Sequence, residues 1–94
     1  MLKVLIADDE EKICQLIIKL INWEEMGLKI AATASNGIEA LEQAKICKPE
    51  ILITDIRMPG IDGMELIRKV KEKLPDTEII IISGYRHFEY AQTA

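Results

Sequence analysis

Short apolar runs of strand length alternate with segments of helical periodicity, and this alternation limits the fold more than any other feature of the chain. The sequence predicts four strands, at residues 2–7, 28–34, 51–54 and 79–82. They are almost continuously apolar, as parallel strands covered on both faces are. The last, a run of four isoleucines, is predicted to be buried on both faces. Strands that alternate with helices form right-handed βαβ units, so the predicted fold class is α/β with a parallel sheet.

Helical patterns fill the segments between these strands. In the first segment, apolar residues recur at steps of three and four, at Ile13, Leu16, Ile17, Leu20 and Ile21. This spacing predicts one apolar stripe that packs on the sheet. A second helix is predicted to open at residues 36–37, with Leu41 and Ala44 facing inward, and to stop at residues 48–49. A third is predicted at residues 63–74, and a fourth begins within residues 86–94.

Composition narrows the class of protein. The chain has 94 residues, 49% hydrophobic and 30% charged, which is typical of one globular domain over residues 1–94. Its net charge of −4 argues against a surface that grips nucleic-acid phosphates unaided. No apolar run approaches the roughly 20 residues that cross a bilayer, and residues 1–3 lead into a strand rather than a signal peptide. We therefore expect a cytoplasmic protein without a membrane partner.

Several reactive or aromatic residues have plain structural interpretations. Cys14 and Cys47 lack the spacing of a zinc site and are predicted to be buried free thiols. His87, the only histidine, is predicted to be an exposed residue at a helix start rather than a catalytic base. Trp23 and Tyr85 are predicted to cover the edge of the core.

Carboxylates stand at the ends of two predicted strands. Asp8 and Asp9 follow the first strand, and Asp55 ends the third. In open α/β sheets, ligands bind beside the carboxyl ends of the strands. A turn with Pro59 and Gly60 follows Asp55, and such a turn holds one side chain in place and leaves it exposed. Each feature alone also suits an ordinary helix cap or turn, so it is their joint occurrence that indicates a site.

The chain resembles the receiver domain of two-component response regulators, which take a phosphoryl group from a histidine kinase onto an aspartate. The residues that carry the resemblance are Asp8, Asp9, Asp55, Met58, Pro59, Gly60, Gly63, Ser83 and Gly84. The resemblance implies a flavodoxin-like sheet with strand order 2-1-3-4-5. Because this sequence supplies four of those strands, we expect the order 2-1-3-4, with the fifth strand and fifth helix absent. The chain is thus expected to be a receiver that is incomplete at its C-terminal end.

The resemblance also implies a site. Strands 1 and 3 are neighbours in that order, so Asp8, Asp9 and Asp55 converge, and three adjacent carboxylates favour a hard divalent cation. The implied ion is Mg²⁺, held by Asp9 and Asp55 directly, by Asp8 through water and by the backbone carbonyl of Arg57. Asp55 is implied to be the phosphoacceptor for a sensor histidine kinase, and Ser83 the switch residue that contacts the phosphoryl group. We therefore expect this chain not to be an enzyme.

Two alternatives stay open at this point. Receivers carry a phosphoryl-contacting lysine on the fifth strand, and no lysine of this sequence takes that place, so a receiver-like interaction domain that is not phosphorylated is one alternative. The other is a magnesium-dependent aspartyl phosphatase of the haloacid dehalogenase type. That family has an acidic residue two positions after its nucleophile, where this chain has Arg57.

Segments 23–27 and 83–91 also resemble receivers of AraC-type transcription factors. This second resemblance implies a DNA-binding domain outside the present chain, and therefore contact with DNA only through that domain. A homodimer, or exchange of elements between chains, is a further expectation, because the run at 79–82 would form the edge of the sheet.

Overall fold

Strands and helices alternate strictly in the computed structural model, which describes residues 1–56, 58 and 60–82. The elements are β1 (Leu2–Ala7), α1 (Glu11–Leu20), β2 (Leu28–Ala34), α2 (Gly37–Cys47), β3 (Ile51–Asp55), α3 (Gly63–Lys73) and β4 (Glu78–Ile82). The four predicted strands are confirmed, and their bounds differ from the prediction by at most one residue. The helix predicted within residues 86–94 lies outside the described residues, as do His87 and Tyr85.

The strands form one parallel sheet in the order β2-β1-β3-β4, which confirms the order expected from the resemblance. At the end of β1, Ala7 pairs with Ala34 of β2 on one side and with Thr54 of β3 on the other. Asp55 of β3 pairs with Ile82 of β4. The four strands therefore end at one edge of the sheet.

Alternate residues of β1 enter two separate cores. Leu5 and Ala7 belong to the cluster under α2 and α3, whereas Val4 and Ile6 belong to the cluster on the other face, with Cys14 of α1. All four β1 residues are buried. The strand that leads to Asp8 is therefore held by packing on both faces as well as by hydrogen bonds to both neighbouring strands.

Side-chain caps fix the starts of two helices. The Oδ1 atom of Asn36 accepts from the backbone N–H of Glu39 at 2.7 Å, at the start of α2. The Oδ1 atom of Asp62 accepts from the N–H of Glu65 at 2.9 Å, at the start of α3. Both caps satisfy backbone donors that a helix N-terminus leaves without partners. Both helix starts lie at the edge where the strands end.

The apolar stripe predicted for α1 is only partly correct. Cys14 is buried and Ile17 packs against the core, but Leu16 and Leu20 are 54% and 73% exposed. Among the described residues, α1 is the one helix on its face of the sheet, whereas α2 and α3 share the opposite face. Because no second helix packs beside α1 within the described residues, only one side of its apolar stripe contacts the sheet, and Leu16 and Leu20 on the other side stay exposed.

The burial predicted for the four-isoleucine run is wrong in this structure. No residue of β4 is fully buried, and Ile80 and Ile81 are 48% and 45% exposed. The strand pairs with β3 along one side, and the described residues place no strand along its other side. Ile79 and Ile82 each pack against one of the two cores, so the strand is covered in part.

Trp23 and the two cysteines all lie within the described residues. Trp23 packs against the core on the α1 face, and its Nε1 donates to the carbonyl of Ile18 at 3.1 Å, as expected of an aromatic cover. Cys14 and Cys47 are both free, the first buried and the second half-buried. Burial raises the pKa of the Cys14 thiol, which keeps it protonated and unreactive.

Candidate metal centre

Three carboxylates meet where β1 and β3 end. Because Ala7 pairs with Thr54, the residues that follow them, Asp8 and Asp55, come to lie side by side. Each of Asp8, Asp9 and Asp55 offers a carboxylate oxygen, and these oxygens all lie within 4.8 Å of one another. The predicted convergence of the three residues is therefore confirmed. The spacing is short enough for one cation to contact all three.

The three carboxylates differ in their surroundings. Asp8 and Asp55 are buried, whereas Asp9 is exposed. The exposure predicted for the side chain that the turn after Asp55 holds in place is therefore wrong for Asp55, which is only 5% exposed. The pKa of Asp8 is raised from 3.8 to about 6, chiefly by burial and further by repulsion from Asp55 and Asp9. The N–H of Glu10 donates to Asp8 Oδ1 at 2.9 Å and opposes that rise. A buried carboxylate that resists ionisation beside two others is a site that a cation would stabilise.

Asp55 is held by the backbone around it. Its Oδ1 accepts from the N–H of Ile56 at 2.7 Å, and its carbonyl accepts from the hydroxyl of Thr54 at 3.0 Å. Three residues after Asp55, Met58 is buried in the core cluster under α2 and α3. The carboxylate thus stands at the end of a rigid strand, and the loop that follows is anchored in the core.

Two of the predicted site residues cannot be checked within the described part of the chain. Arg57, predicted to contribute its backbone carbonyl, lies outside the described residues, as does Ser83, the predicted switch residue. Their roles stay predictions. The turn after Asp55 is described only in part, with Gly60 at a positive φ of 84°.

Two further acidic residues, which the sequence patterns do not predict as site residues, lie beside the three aspartates. A cleft of about 290 Å³ runs from Asp8 between the starts of α1 and α2, and its lining includes Glu11, Ser35 and Glu39. Ser35 donates to Glu39 Oε2 at 3.1 Å. Glu11 and Glu39 occupy first turns of their helices, where acids commonly offset the helix dipole. Because acidic residues are common in first turns, nothing in the sequence indicated that Glu11 and Glu39 add negative charge beside the three aspartates.

A family model described as the response regulator receiver domain matches residues 4–94. The chain belongs to the response regulator receiver family. This membership confirms the resemblance carried by the aspartates and the Met58 to Gly63 turn. An acidic centre at this edge is the Mg²⁺-binding pocket of receiver domains, and the three carboxylates here form a group that could hold a metal ion.

Two of the similar proteins are named as transcriptional regulators. The chain is 45% identical over 94 residues to an uncharacterised transcriptional regulatory protein, YesN of Bacillus subtilis. The match covers all of this chain and 26% of YesN. The solved receiver domain of AraT, a response regulator from Geobacillus stearothermophilus, has a TM-score of 0.92 at 44% identity, covering 99% of this chain and 72% of that one. A two-component transcriptional regulator AraC from Clostridium phytofermentans has a TM-score of 0.87 at 37% identity, covering 100% and 73%. These names fit the second resemblance, to AraC-type regulators.

The chain spans about a quarter of the length of YesN, so the activity of a whole regulator is a matter for proposal. Among the residues that the structure describes, no helix has the length and apolar character needed to span a membrane. The cytoplasmic location and the domain extent of 1–94 stay predictions.

Proposed function

We propose that this chain is the phosphoacceptor module of a two-component response regulator and that Asp55 accepts the phosphoryl group of a sensor histidine kinase. The observation that supports this most directly is the buried carboxylate of Asp55 at the tip of β3, with carboxylate oxygens of Asp8 and Asp9 within 4.8 Å. Receiver membership and the Met58 to Gly63 turn after Asp55 support the same assignment.

The transfer requires few groups from the protein. A carboxylate oxygen of Asp55 attacks the phosphorus of a phosphohistidine, the N–P bond breaks, and its electron pair stays on the imidazole nitrogen. The product is an aspartyl phosphate on Asp55. Phosphoryl transfer depends mainly on positioning and charge stabilisation, so the rigid tip of β3 is the main contribution of this chain. The module undergoes one modification per cycle and is not itself an enzyme.

The donor set fits Mg²⁺. This hard cation prefers oxygen ligands, keeps several waters, and is commonly bound through one or two carboxylates. Asp9 and Asp55 would hold it directly and Asp8 through water, with the carbonyl of Arg57 as a further ligand. When bound, the ion neutralises charge on the carboxylates and on the phosphoryl oxygens. Ser83 would contact the phosphoryl group from the end of β4.

The output of the module is control of transcription through a DNA-binding domain elsewhere in the full-length regulator. The names of the relatives and the small share of YesN that the chain covers support this proposal. The net charge of −4 is consistent with DNA contact by another domain rather than by this one.

The test is labelling with radioactive acetyl phosphate in the presence of Mg²⁺, on this chain and on a longer form of the regulator that includes it. The wild type should gain a hydroxylamine-sensitive label, and Asp55→Asn should gain none. Asp62→Asn is the matched control, because Asp62 is a nearby exposed aspartate and asparagine also caps helices. A label retained by Asp55→Asn, or lost in Asp62→Asn alone, would remove the assignment.

A further inference from the structure

The loop that follows Asp55 rests on the first residue of α2. Gly37 is buried, and a Cβ atom built there would overlap the carbonyl oxygen of Ile61. It would also lie 2.7 Å from the carbonyl carbon and 2.8 Å from the Cβ atom of Ile61, whereas real Cβ atoms essentially never come closer than 3.0 Å. The backbone of the loop thus occupies the space that any other side chain at position 37 would take.

The same loop closes back onto the phosphoacceptor. The N–H of Gly63 donates to the carbonyl of Ile56 at 2.6 Å. A Cβ atom at Gly63 would overlap the carbonyl oxygen of Asp55 and lie 2.8 Å from the Cα atom of Ile56. The loop is therefore held in two places by backbone contacts that only glycine permits, one against α2 and one against Asp55 itself.

The start of α2 is not free to move away from the loop. Asn36 caps the first turn of α2 by accepting from the backbone N–H of Glu39, and the Ser35 hydroxyl donates to the side chain of Glu39. Ala40 and Ala44 anchor the helix in the core cluster that Ile61 also contacts. Packed interiors transmit strain rather than absorb it, so a methyl group at position 37 would displace Ile61 by a distance on the order of 1 Å.

We propose that Gly37 is a positioning residue for the carboxylate centre: its missing side chain lets α2 set the path of the loop after Asp55. Its φ is outside the left-handed region, so alanine there carries no backbone strain of its own. Alanine is also the better helix former. A loss on Gly37→Ala therefore reports the contact with Ile61 and not the conformation of residue 37.

The first test measures Mg²⁺ affinity and therefore rests on the proposed function. The Mg²⁺ affinity of this chain is measured by calorimetry, and unfolding in urea is measured alongside. Gly37→Ala should weaken Mg²⁺ binding by about 10- to 100-fold, the usual effect of disturbing groups that orient metal ligands. A residue that served stability alone would shift the urea midpoint and leave the affinity of the folded chain unchanged.

Gly27→Ala is the matched control. Gly27 has a φ of 73°, and a Cβ atom there would meet nothing within 4 Å. It precedes β2, at the end of the sheet away from Asp55. Its alanine variant loses stability through backbone strain alone and should keep the wild-type Mg²⁺ affinity. If Gly37→Ala is unfolded in plain buffer, both variants are measured in sucrose, which favours the compact state.

A second readout separates this inference from the proposed function. In the absence of metal, the amide resonances of Asp55, Ile56 and Gly63 should shift in Gly37→Ala and stay in place in Gly27→Ala. If the wild type binds no Mg²⁺, the proposed function fails and these resonances alone decide the role of Gly37. Resonances that do not shift in Gly37→Ala would overturn the role proposed for Gly37. If the wild type binds Mg²⁺, an equal affinity in Gly37→Ala would overturn it as well.

Discussion

Burial of Asp8 makes the stability of the metal-free chain depend on pH. Its pKa is raised to about 6, chiefly by burial, so the folded state binds this proton more tightly than the unfolded chain does. The stabilisation from a protonated Asp8 is complete below the unfolded pKa of 3.8 and is lost as the pH rises through about 6. At neutral pH the ionised side chain costs the folded state about 3 kcal/mol relative to acid.

Asp8→Asn should remove this dependence. In EDTA, the free energy of unfolding of the variant relative to the wild type should rise by about 2 to 3 kcal/mol between pH 4 and pH 7. Urea unfolding at several pH values measures the difference, and Asp76→Asn, at an exposed turn, controls for the loss of one charge. A constant difference between Asp8→Asn and wild type across this range would contradict the prediction.

Asp9→Ala should weaken Mg²⁺ binding at least about tenfold, because it removes a carboxylate proposed to contact the ion directly. Asp9 is exposed, so its replacement should leave the fold intact and the loss can be read as a loss of a ligand. Calorimetry gives the affinity, with Asp76→Ala as a control at the opposite end of the sheet. Equal affinities for wild type and Asp9→Ala would place the site elsewhere.

Part of this centre could be predicted from the sequence because strand ends are marked by local patterns. Asp8, Asp9 and Asp55 each follow an apolar run, but their meeting depends on which strands are neighbours, and that order came from the family resemblance. Gly37 could not be predicted as a positioning residue, since its contact with Ile61 spans 24 positions of the sequence and leaves no local pattern.

At the scale of elements, strand positions were predictable and the burial of faces was not. A strand of a parallel sheet is recognised by a short apolar run between turn residues, which is a local property. Which half of an apolar stripe touches the sheet depends on how many helices share that face. The periodicity therefore predicted α1 correctly, but it also predicted that Leu16 and Leu20 pack in the core, and both are exposed.

Substitutions in α1 and α3 should differ accordingly. Leu16→Ala and Leu20→Ala should change the free energy of unfolding by less than about 0.5 kcal/mol, as exposed positions do. Leu66→Ala, in α3, removes a fully buried side chain and should cost about 2 to 5 kcal/mol. Urea unfolding of the three variants tests this, and a large loss for Leu20→Ala would mean that its side chain is covered in solution.

At the scale of the whole molecule, the two edges of the described sheet differ. The outer edge of β2 belongs to a strand with Lys29 and Thr33 exposed, whereas β4 is four isoleucines after Glu78. Natural edge strands carry charge, proline or a covering element, because unpaired backbone groups beside apolar side chains invite pairing with another chain. Within the described residues, β4 has one charge, Glu78 at its start, and no proline or covering element lies along the four isoleucines that follow.

We therefore predict that the isolated 94-residue chain self-associates through β4, by edge pairing or exchange of elements. Ile80→Lys should restore a monomer, because a charge on an exposed edge strand opposes pairing. Ile46→Lys is the matched control: it makes the same change at a more exposed isoleucine, on α2 and away from any strand edge, and should leave association unchanged. Size-exclusion chromatography with light scattering measures the mass of each chain. A wild type that is monomeric and unfolds cooperatively would show that the β4 edge is protected in solution, and monomers for both lysine variants would trace association to general apolar exposure instead of the edge.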